Sequence, residues 1–407
     1  MVRVLRDRRI VLGVTGSIAV YKALDLARQL TQAGAQVDVV MTEAAQAFVT
    51  ALAFQTLTRR PVHTTAFEAW DAEQAGHVTL GANADIMIIA PATAQSIARL
   101  AHGFADDAVS LTALACPAPL IVAPAMDHYM YWHPAMQANL ETLKSRGVIL
   151  VGPEHGPLAS GMVGDGRMAS IEEILAVTRK TLGRTGPLAG RRVVVTAGPT
   201  REHLDPIRFL TNASSGRMGY ALAEAARDAG ADVLLITGPT ALPDPKALDI
   251  VHVTTAQEMY SAVKHAVQTA DVLIMAAAVS DYRPRHVARE KIKKATATQV
   301  LELERTVDIL REIDQPGLLK VGFAAETEQL ISYAQEKLRT KNLDMIVAND
   351  AREAMGSEIS SIVLITAEGI VDRIERLSKA ELAEAIIDHV AAMLRARLIT
   401  EERNAVS

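Results

Sequence analysis

A short β-branched run at residues 9–15 (RIVLGVT) ends in the turn Gly13-Val14-Thr15-Gly16-Ser17 and opens at once into a helical pattern over residues 18–32. Ala19, Ala23, Leu24, Ala27 and Leu30 form one apolar stripe along that pattern. Gly34 then ends the helix, and residues 37–41 supply the next strand. A strand that feeds a helix and returns as a strand must cross over and pair in parallel, with helices on the faces of the sheet. Further strands are expected at 85–90, 119–123 and 148–152. The pattern restarts after residues 182–190 (Leu182 to Gly190), which are rich in Gly and Pro. A strand at 192–198 and a helix at 217–228 follow, and Ala229-Gly230-Ala231 leads into a strand at 232–237, as Ala33-Gly34-Ala35 leads into 37–41. Later strands are expected at 271–276, 319–323 and 344–348, with a closing pair at 361–366 and 370–374 about a turn at Glu368-Gly369. The expected fold is α/β: two doubly wound, Rossmann-like domains at 1–184 and 191–400, joined by a linker at 185–190.

Composition narrows what such a chain does. Aromatic residues reach only 4%, so aliphatic side chains must fill both cores, as suits helices packed on parallel strands. The net charge of −5 argues against a non-specific nucleic-acid binder. Cys116 is the only cysteine, which excludes an internal disulfide and a cysteine-based zinc site and points to a cytoplasmic protein. The most apolar stretch, residues 111–126, is broken by Pro117, Pro119 and Pro124, so no membrane span is expected. The basic first ten residues lack the hydrophobic stretch of a secretion signal.

Several loops have the chemistry to hold anions. The Gly16-Ser17 turn lets backbone N–H groups approach a phosphate at a helix start, and it equally suits a plain tight turn. It is neither GxGxxG nor a Walker A loop, so a mononucleotide phosphate such as that of FMN suits it better than a dinucleotide. The loop Asn212-Ala213-Ser214-Ser215-Gly216-Arg217-Met218-Gly219 concentrates donors ahead of a helix. It reads as a phosphate or carboxylate site, or as a cap formed by Ser214 or Ser215. Ala276-Ala277-Ala278 ends a strand and leaves room for a flat base, with Asp281 ready to accept from hydroxyls. Arg283, Arg285, Arg289, Lys291, Lys293 and Lys294 follow, either as a solvated basic loop or as a lid over a triphosphate. In the first half, His77 has a side chain able to move protons near neutrality, though a lone histidine also serves as ordinary structure. Met126, Asp127, His128 and Met130 follow a strand end, where open α/β sheets bind ligands. Residues 160–167, from Ser160 to Arg167, read as a glycine-rich loop that could close over a substrate anion. His128, His133 and His155 are scattered without a carboxylate spacing, and no metal ligands are assigned.

In order along the chain, GVTGSIAVYK, GHVTLG, APAMDHYMY, GDGRM, TAGPTRE, LDPIRFLTNASSGRMG, AAAVSDYRP, EKIKK, VGFAAET and KNLDMIVAND resemble the bifunctional phosphopantothenoylcysteine decarboxylase/phosphopantothenate–cysteine ligase family of coenzyme A biosynthesis, over residues 8 to 395. The resemblance implies an FMN-dependent decarboxylase followed by a CTP-dependent ligase that works with Mg²⁺. Phosphopantothenate and cysteine are condensed through an acyl-cytidylate, and the product is decarboxylated to phosphopantetheine. It implies catalytic roles for His77, Ser160, Asn212 and Lys291, and FMN contacts at Gly16, Ser17, Thr42 and Thr93. Substrate contacts are implied at Met126, Asp127, Met130 and Arg167. Nucleotide contacts are implied at Asp281, Val307, Asp308, Ile309, Leu310, Phe323, Lys337 and Lys341. It further implies a homo-oligomer, a dodecamer built from trimers of the flavin domain and dimers of the ligase domain.

Three positions depart from the family pattern. Asp127 stands in place of Asn, Ser160 in place of the proton-donating Cys, and Gln95 in place of Asn. An ionised Asp127 would repel a substrate carboxylate, so it must be protonated or the carboxylate held differently. A hydroxyl is a far weaker acid than a thiol. The alternative is therefore a ligase whose flavin domain serves assembly or regulation. A nicotinamide-dependent reductase is disfavoured by the missing GxGxxG, and a non-catalytic flavoprotein by the Asn212, Asp281 and Lys291 set.

Overall fold

The computed structural model describes residues 3–65, 76–293, 299–326, 329–350 and 359–406; Lys294 and Thr327 of the motifs above lie outside them. The chain divides into two compact units, residues 1–182 and 183–407.

In the first unit the strands are β1 (Arg9–Val14), β2 (Gln36–Met41), β3 (Val62–His63), β4 (Ile86–Ala92), β5 (Leu120–Pro124) and β6 (Ile149–Leu150). They form one parallel sheet in the order β3-β2-β1-β4-β5-β6. The helices are α1 (Val20–Gln32), α2 (Glu43–Gln46), α3 (Ala51–Thr58), α4 (Gly76–Ala82), α5 (Ala94–His102), α6 (Ala108–Leu114), α7 (His128–Tyr131), α8 (Pro134–Ser145) and α9 (Ile171–Gly183). Both faces of the sheet are covered: Ile10, Leu12 and Val14 point into one core, and Val11 into the other. That two-sided burial is why the strands read as unbroken aliphatic runs. An antiparallel hairpin, β7 (Glu154–Pro157) and β8 (Val163–Arg167), follows β6. The glycine-rich loop expected at 160–167 is thus a strand over most of its length. Gly164 pairs with Gly156 in the ladder and Gly166 falls at its register shift, between Asp165 and Arg167, and composition alone does not reveal this.

The second unit contains β9 (Arg192–Ala197), β10 (Arg201–His203), β11 (Phe209–Thr211), β12 (Asp232–Thr237), β13 (Asp249–His252), β14 (Val272–Met275), β15 (Tyr282–Pro284), β16 (Leu303–Arg305), β17 (Leu319–Glu326), β18 (Met345–Asp350), β19 (Ile359–Thr366) and β20 (Gly369–Ser378). Its helices are α10 (Arg217–Asp228), α11 (Ala256–Ala266), α12 (Ile309–Glu312), α13 (Leu330–Thr340) and α14 (Lys379–Val406). The main sheet runs β13-β12-β9-β14-β17-β18-β19-β20, parallel up to β18 and antiparallel beyond it. The closing hairpin turns at residues 367–368, one residue earlier than expected, and Gly369 takes the positive φ. Leu188, within the Gly/Pro-rich stretch, is fully buried and its N–H donates to the Ala229 carbonyl. β10 and β11 form one small hairpin, and β15 and β16 a second small pair. Among the described residues no helix is long and apolar enough to cross a membrane.

Candidate functional site

In the first unit β1 and β4 are neighbours whose following strands diverge, β2 to one side and β5 to the other. Ligands of open α/β sheets bind at the carboxyl end of such a switch point. Thr15 is buried there. Its hydroxyl donates to the Pro91 carbonyl at 2.8 Å and accepts from the Thr93 N–H at 3.0 Å, tying the β1 and β4 turns together. A Cβ on Gly16 would lie 2.5 Å from Ala44 Cβ and 2.9 Å from the Ala44 carbonyl carbon, so the turn passes α2 only as glycine. Thr42 caps α2 by accepting from Ala45 N–H, and Thr93 caps α5 by accepting from Ser96 N–H, both at 3.3 Å. These residues surround a cavity of about 770 Å³, lined by Gly16, Ser17, Thr42, Thr93, Met126 and Met130. Gln95 and Arg99 also line it, and Arg99 is paired with Asp106 and Asp107. Backbone N–H groups, hydroxyls and two thioethers suit a flat heterocycle carrying a phosphate.

A second cavity of about 460 Å³ is lined by Ser17, Lys22, Met126, Asp127, Ser160 and Arg167, among others. Two of the three departures noted in the sequence, Asp127 and Ser160, meet in it. Ser160 Oγ donates to Asp127 Oδ2 at 2.7 Å, and Tyr129 N–H donates to Asp127 Oδ1 at 3.2 Å. The Ser160 hydroxyl, and after it the Tyr129 amide, hold the Asp127 carboxyl below its ordinary value. The contact with Ser160 favours the ionised form of Asp127 over the protonated one. Because the folded value is depressed, this contact stabilises the fold above the ordinary carboxylate value and is lost as pH falls through the folded one. Ser160→Ala is expected to raise the Asp127 value toward that of a free carboxylate, read by carbon-13 titration of the side chain. An unchanged titration would remove Ser160 as the cause.

Glycine brings the hairpin onto this site. A Cβ on Gly166, where φ is +139°, would lie 2.2 Å from the Met126 carbonyl oxygen, and one on Gly164 would lie 2.7 Å from His128 Nδ1. Asp165 accepts from Trp132 Nε1 at 2.9 Å, lies 3.0 Å from His155 Nδ1, and donates its own N–H to His128 Nδ1 at 3.1 Å. Lys22 sits beneath, its ammonium donating to the Met168 carbonyl at 3.1 Å. Burial, and then the Arg167 charge, push its pKa down. His77 lies on α4, half-buried, and lines neither cavity. Cys116 is half-buried in the core with its thiol pKa pushed up by burial, and it too lines neither cavity.

In the second unit β9 and β14 make the corresponding switch point, flanked by β12 and β17. A cavity of about 610 Å³ lies beside it, at the carboxyl ends of β14 and β17, and gathers Asp281, Val307, Asp308, Ile309, Leu310, Phe323, Lys337 and Lys341. Lys341 pairs with Asp308 at 2.9 Å, and Lys337 Nζ donates to the Phe323 carbonyl at 2.6 Å. Asp308 also caps α12 through Arg311 N–H. Asn212 does not line the cavity. Its Nδ2 donates to the Ala278 and Val279 carbonyls, at 3.2 and 3.1 Å, and Val279 is part of the cavity wall. Lys291 is exposed and is not among the lining residues. The cap of α10 is Gly216, with φ +77°, rather than Ser214 or Ser215; Ser214 Oγ accepts from Gly216 N–H. Among the described residues no three His, Cys, Asp or Glu side chains converge on a metal position. Lys22, Arg99 and Arg305 line the cavities but were not singled out from the sequence.

The Flavoprotein family matches residues 2–183, and the DNA/pantothenate metabolism flavoprotein C-terminal domain matches residues 188–394. The coenzyme A biosynthesis bifunctional protein CoaBC of Bacillus subtilis (strain 168) is 43% identical over 397 residues, covering 96% of this chain and 98% of its own. That of Escherichia coli (strain K12) is 42% identical over 400 residues, covering 95% and 97%. Among solved structures, a C-terminal domain of CoaBC is 44% identical and covers 52% of this chain and 100% of its own, with a TM-score of 0.46.

Proposed function

Since the chain belongs to the bifunctional CoaBC family of coenzyme A biosynthesis, which joins a flavoprotein decarboxylase to a ligase, we propose how its residues divide the two steps. The ligase occupies 191–400 and takes CTP, phosphopantothenate and cysteine. What supports this is the single cavity that collects Asp281, the 307–310 segment, Phe323, Lys337 and Lys341 at the carboxyl ends of β14 and β17. The substrate carboxylate attacks the α-phosphate of CTP and pyrophosphate leaves. The cysteine amine then attacks the acyl carbon, CMP leaves, and the amine proton is lost as the amide forms. Lys291 supplies positive charge to the transferring phosphate, and Asn212 orients the acyl-cytidylate. Mg²⁺ arrives with the triphosphate.

The decarboxylase occupies 1–184, and the 770 Å³ cavity fits FMN. Glycine at position 16 opens the backbone to the phosphate, Ser17, Thr42 and Thr93 offer hydroxyls, and Met126 and Met130 pack on the ring. The chemistry FMN would supply when bound is a reversible two-electron oxidation at the thiol-bearing carbon, which activates the adjacent carbon to lose its carboxylate, the electrons being returned to the product afterwards. The chain's own groups bind and orient the substrate: Arg167 meets an anion, and Asp127 and Ser160 act as a hydrogen-bonded pair. His77 moves a proton. Since it lines neither cavity of its own unit, it serves the flavin of a neighbouring copy. Exposed Val78 beside it and exposed Leu114 on α6 agree with an apolar contact there. The assembly is a cytoplasmic homo-oligomer of flavin-domain trimers and ligase-domain dimers.

Product analysis by mass spectrometry tests the whole reading. Given phosphopantothenate, cysteine, CTP and Mg²⁺, the protein is expected to yield phosphopantetheine. Accumulated phosphopantothenoylcysteine would restrict it to the ligase step, with the Asp127–Ser160 pair the first suspect.

A further inference from the structure

The turn between β10 and β11 holds a carboxylate that the two reactions above do not use. Asp205 is fully buried, yet it faces donors only. Its Oδ1 accepts from Ile207 N–H at 2.9 Å and Arg208 N–H at 2.8 Å. Its Oδ2 accepts from Arg208 Nε at 3.0 Å, Arg208 Nη2 at 2.6 Å and Ile292 N–H at 3.1 Å. The Arg208 guanidinium first, and then the amides of Arg208, Ile207 and Ile292, hold this carboxyl far below the usual carboxylate range. The last of these donors comes from a segment 87 residues away in sequence. Arg208 Nη2 grips the same residue from its other side, donating to the Ile292 carbonyl at 2.9 Å. Four residues earlier, Ala288 N–H donates to the Leu204 carbonyl at 3.0 Å. The stretch expected to be either a solvated basic loop or a lid is therefore docked at two points, Ala288 and Ile292, and Lys291 lies between them. In the other direction the turn leads through β11 to Asn212.

We infer that Asp205 is a positioning residue of the ligase: with Arg208 it clamps the backbone at Ile292 and so sets the register of Lys291 against Asn212, which the same turn carries. This rests on the assignment of Lys291 to the transferring phosphate. The chemistry of the clamp requires a carboxylate. All five neighbouring groups are N–H donors, and a carboxylate is the acceptor-only side chain that takes them all, whereas an amide would turn its NH₂ toward two or three of them. A brace needed only for the turn would end at Ile207 and Arg208. The contacts to Ile292 extend beyond the turn and reach a residue adjacent to the proposed catalytic lysine.

Single-turnover pyrophosphate release, measured with the full chain, CTP, Mg²⁺ and phosphopantothenate, tests the clamp in Asp205→Asn, Lys291→Gln and the double variant. Asp205→Asn is expected to lower kcat for pyrophosphate release by about 10- to 100-fold, with KM for CTP changed by less than about threefold, as misplacement of a catalytic group does. In the Lys291→Gln background the same change is expected to cost less than about twofold, because the group being positioned is gone. Losses that multiply would overturn the clamp and leave Asp205 a structural residue. So would a folded Asp205→Asn that turns over at the parental rate beside an inactive Lys291→Gln. Turnover retained by Lys291→Gln overturns the lysine assignment, and the clamp with it. If Asp205→Asn does not fold, Arg208→Lys carries the same cycle. Its side chain is 45% exposed, and a single ammonium cannot hold both Asp205 and the Ile292 carbonyl.

Discussion

Lys291→Gln is expected to lower acyl-cytidylate formation by at least about 10²-fold while the flavin spectrum of the first unit stays as it was. Attack on the α-phosphate spreads negative charge over its oxygens as pyrophosphate departs, and a lysine ammonium is a compact charge that can follow it. Glutamine keeps the polarity and much of the reach but removes the charge, so the loss falls on kcat rather than on CTP binding. The two lysines that line the cavity already have partners: Lys337 donates to the Phe323 carbonyl, and Lys341 is paired with Asp308. Pyrophosphate release followed by stopped flow decides the matter. Release within about threefold of the parent would transfer the role to one of those two.

His77→Asn is expected to cut carbon dioxide release from phosphopantothenoylcysteine by about 10²- to 10⁴-fold, the range for loss of a general acid or base. Asparagine retains a hydrogen-bonding side chain of similar length but does not titrate near neutrality. The ligase step should continue, so phosphopantothenoylcysteine should accumulate when all substrates are supplied. The two activities thereby report on each other within one sample. Carbon dioxide release at the parental rate would remove His77 from the mechanism and, with it, the argument that the flavin cavity needs a neighbouring copy.

The long parallel strands were legible because burial on both faces leaves aliphatic runs, as in β1 with its single exposed first residue. The edge strand β3 is two residues, too short to leave a period, and β6, expected over 148–152, is only Ile149–Leu150. The three-residue strands β10, β11, β15 and β16 are equally silent, and β8 is disguised by its glycines. Of the expected site residues, Gly16, Thr42, Thr93 and Met126 lie in turns just after strands, where small neighbours marked them, whereas His77 and Lys337 lie on helices. Asp205 escaped notice because its meaning depends on Ile292, and no local pattern links residues 87 positions apart. The pairing of Ser160 with Asp127, 33 positions apart, was hidden for the same reason, although each was marked separately as a departure.

Thr15 has a consequence for which ring systems the first unit admits. Its hydroxyl joins the β1 and β4 turns through Pro91 and Thr93, so the walls of the cavity that carry Gly16, Ser17 and Thr93 are held at a set spacing. Such a spacing is a fixed gauge. A ring that matches it enters with little ordering of the protein, and a thicker one is refused without any loop having to close. Selectivity among flavin analogues should therefore follow their shape, and changes in the outer loops should alter the rate of entry more than the choice of ring.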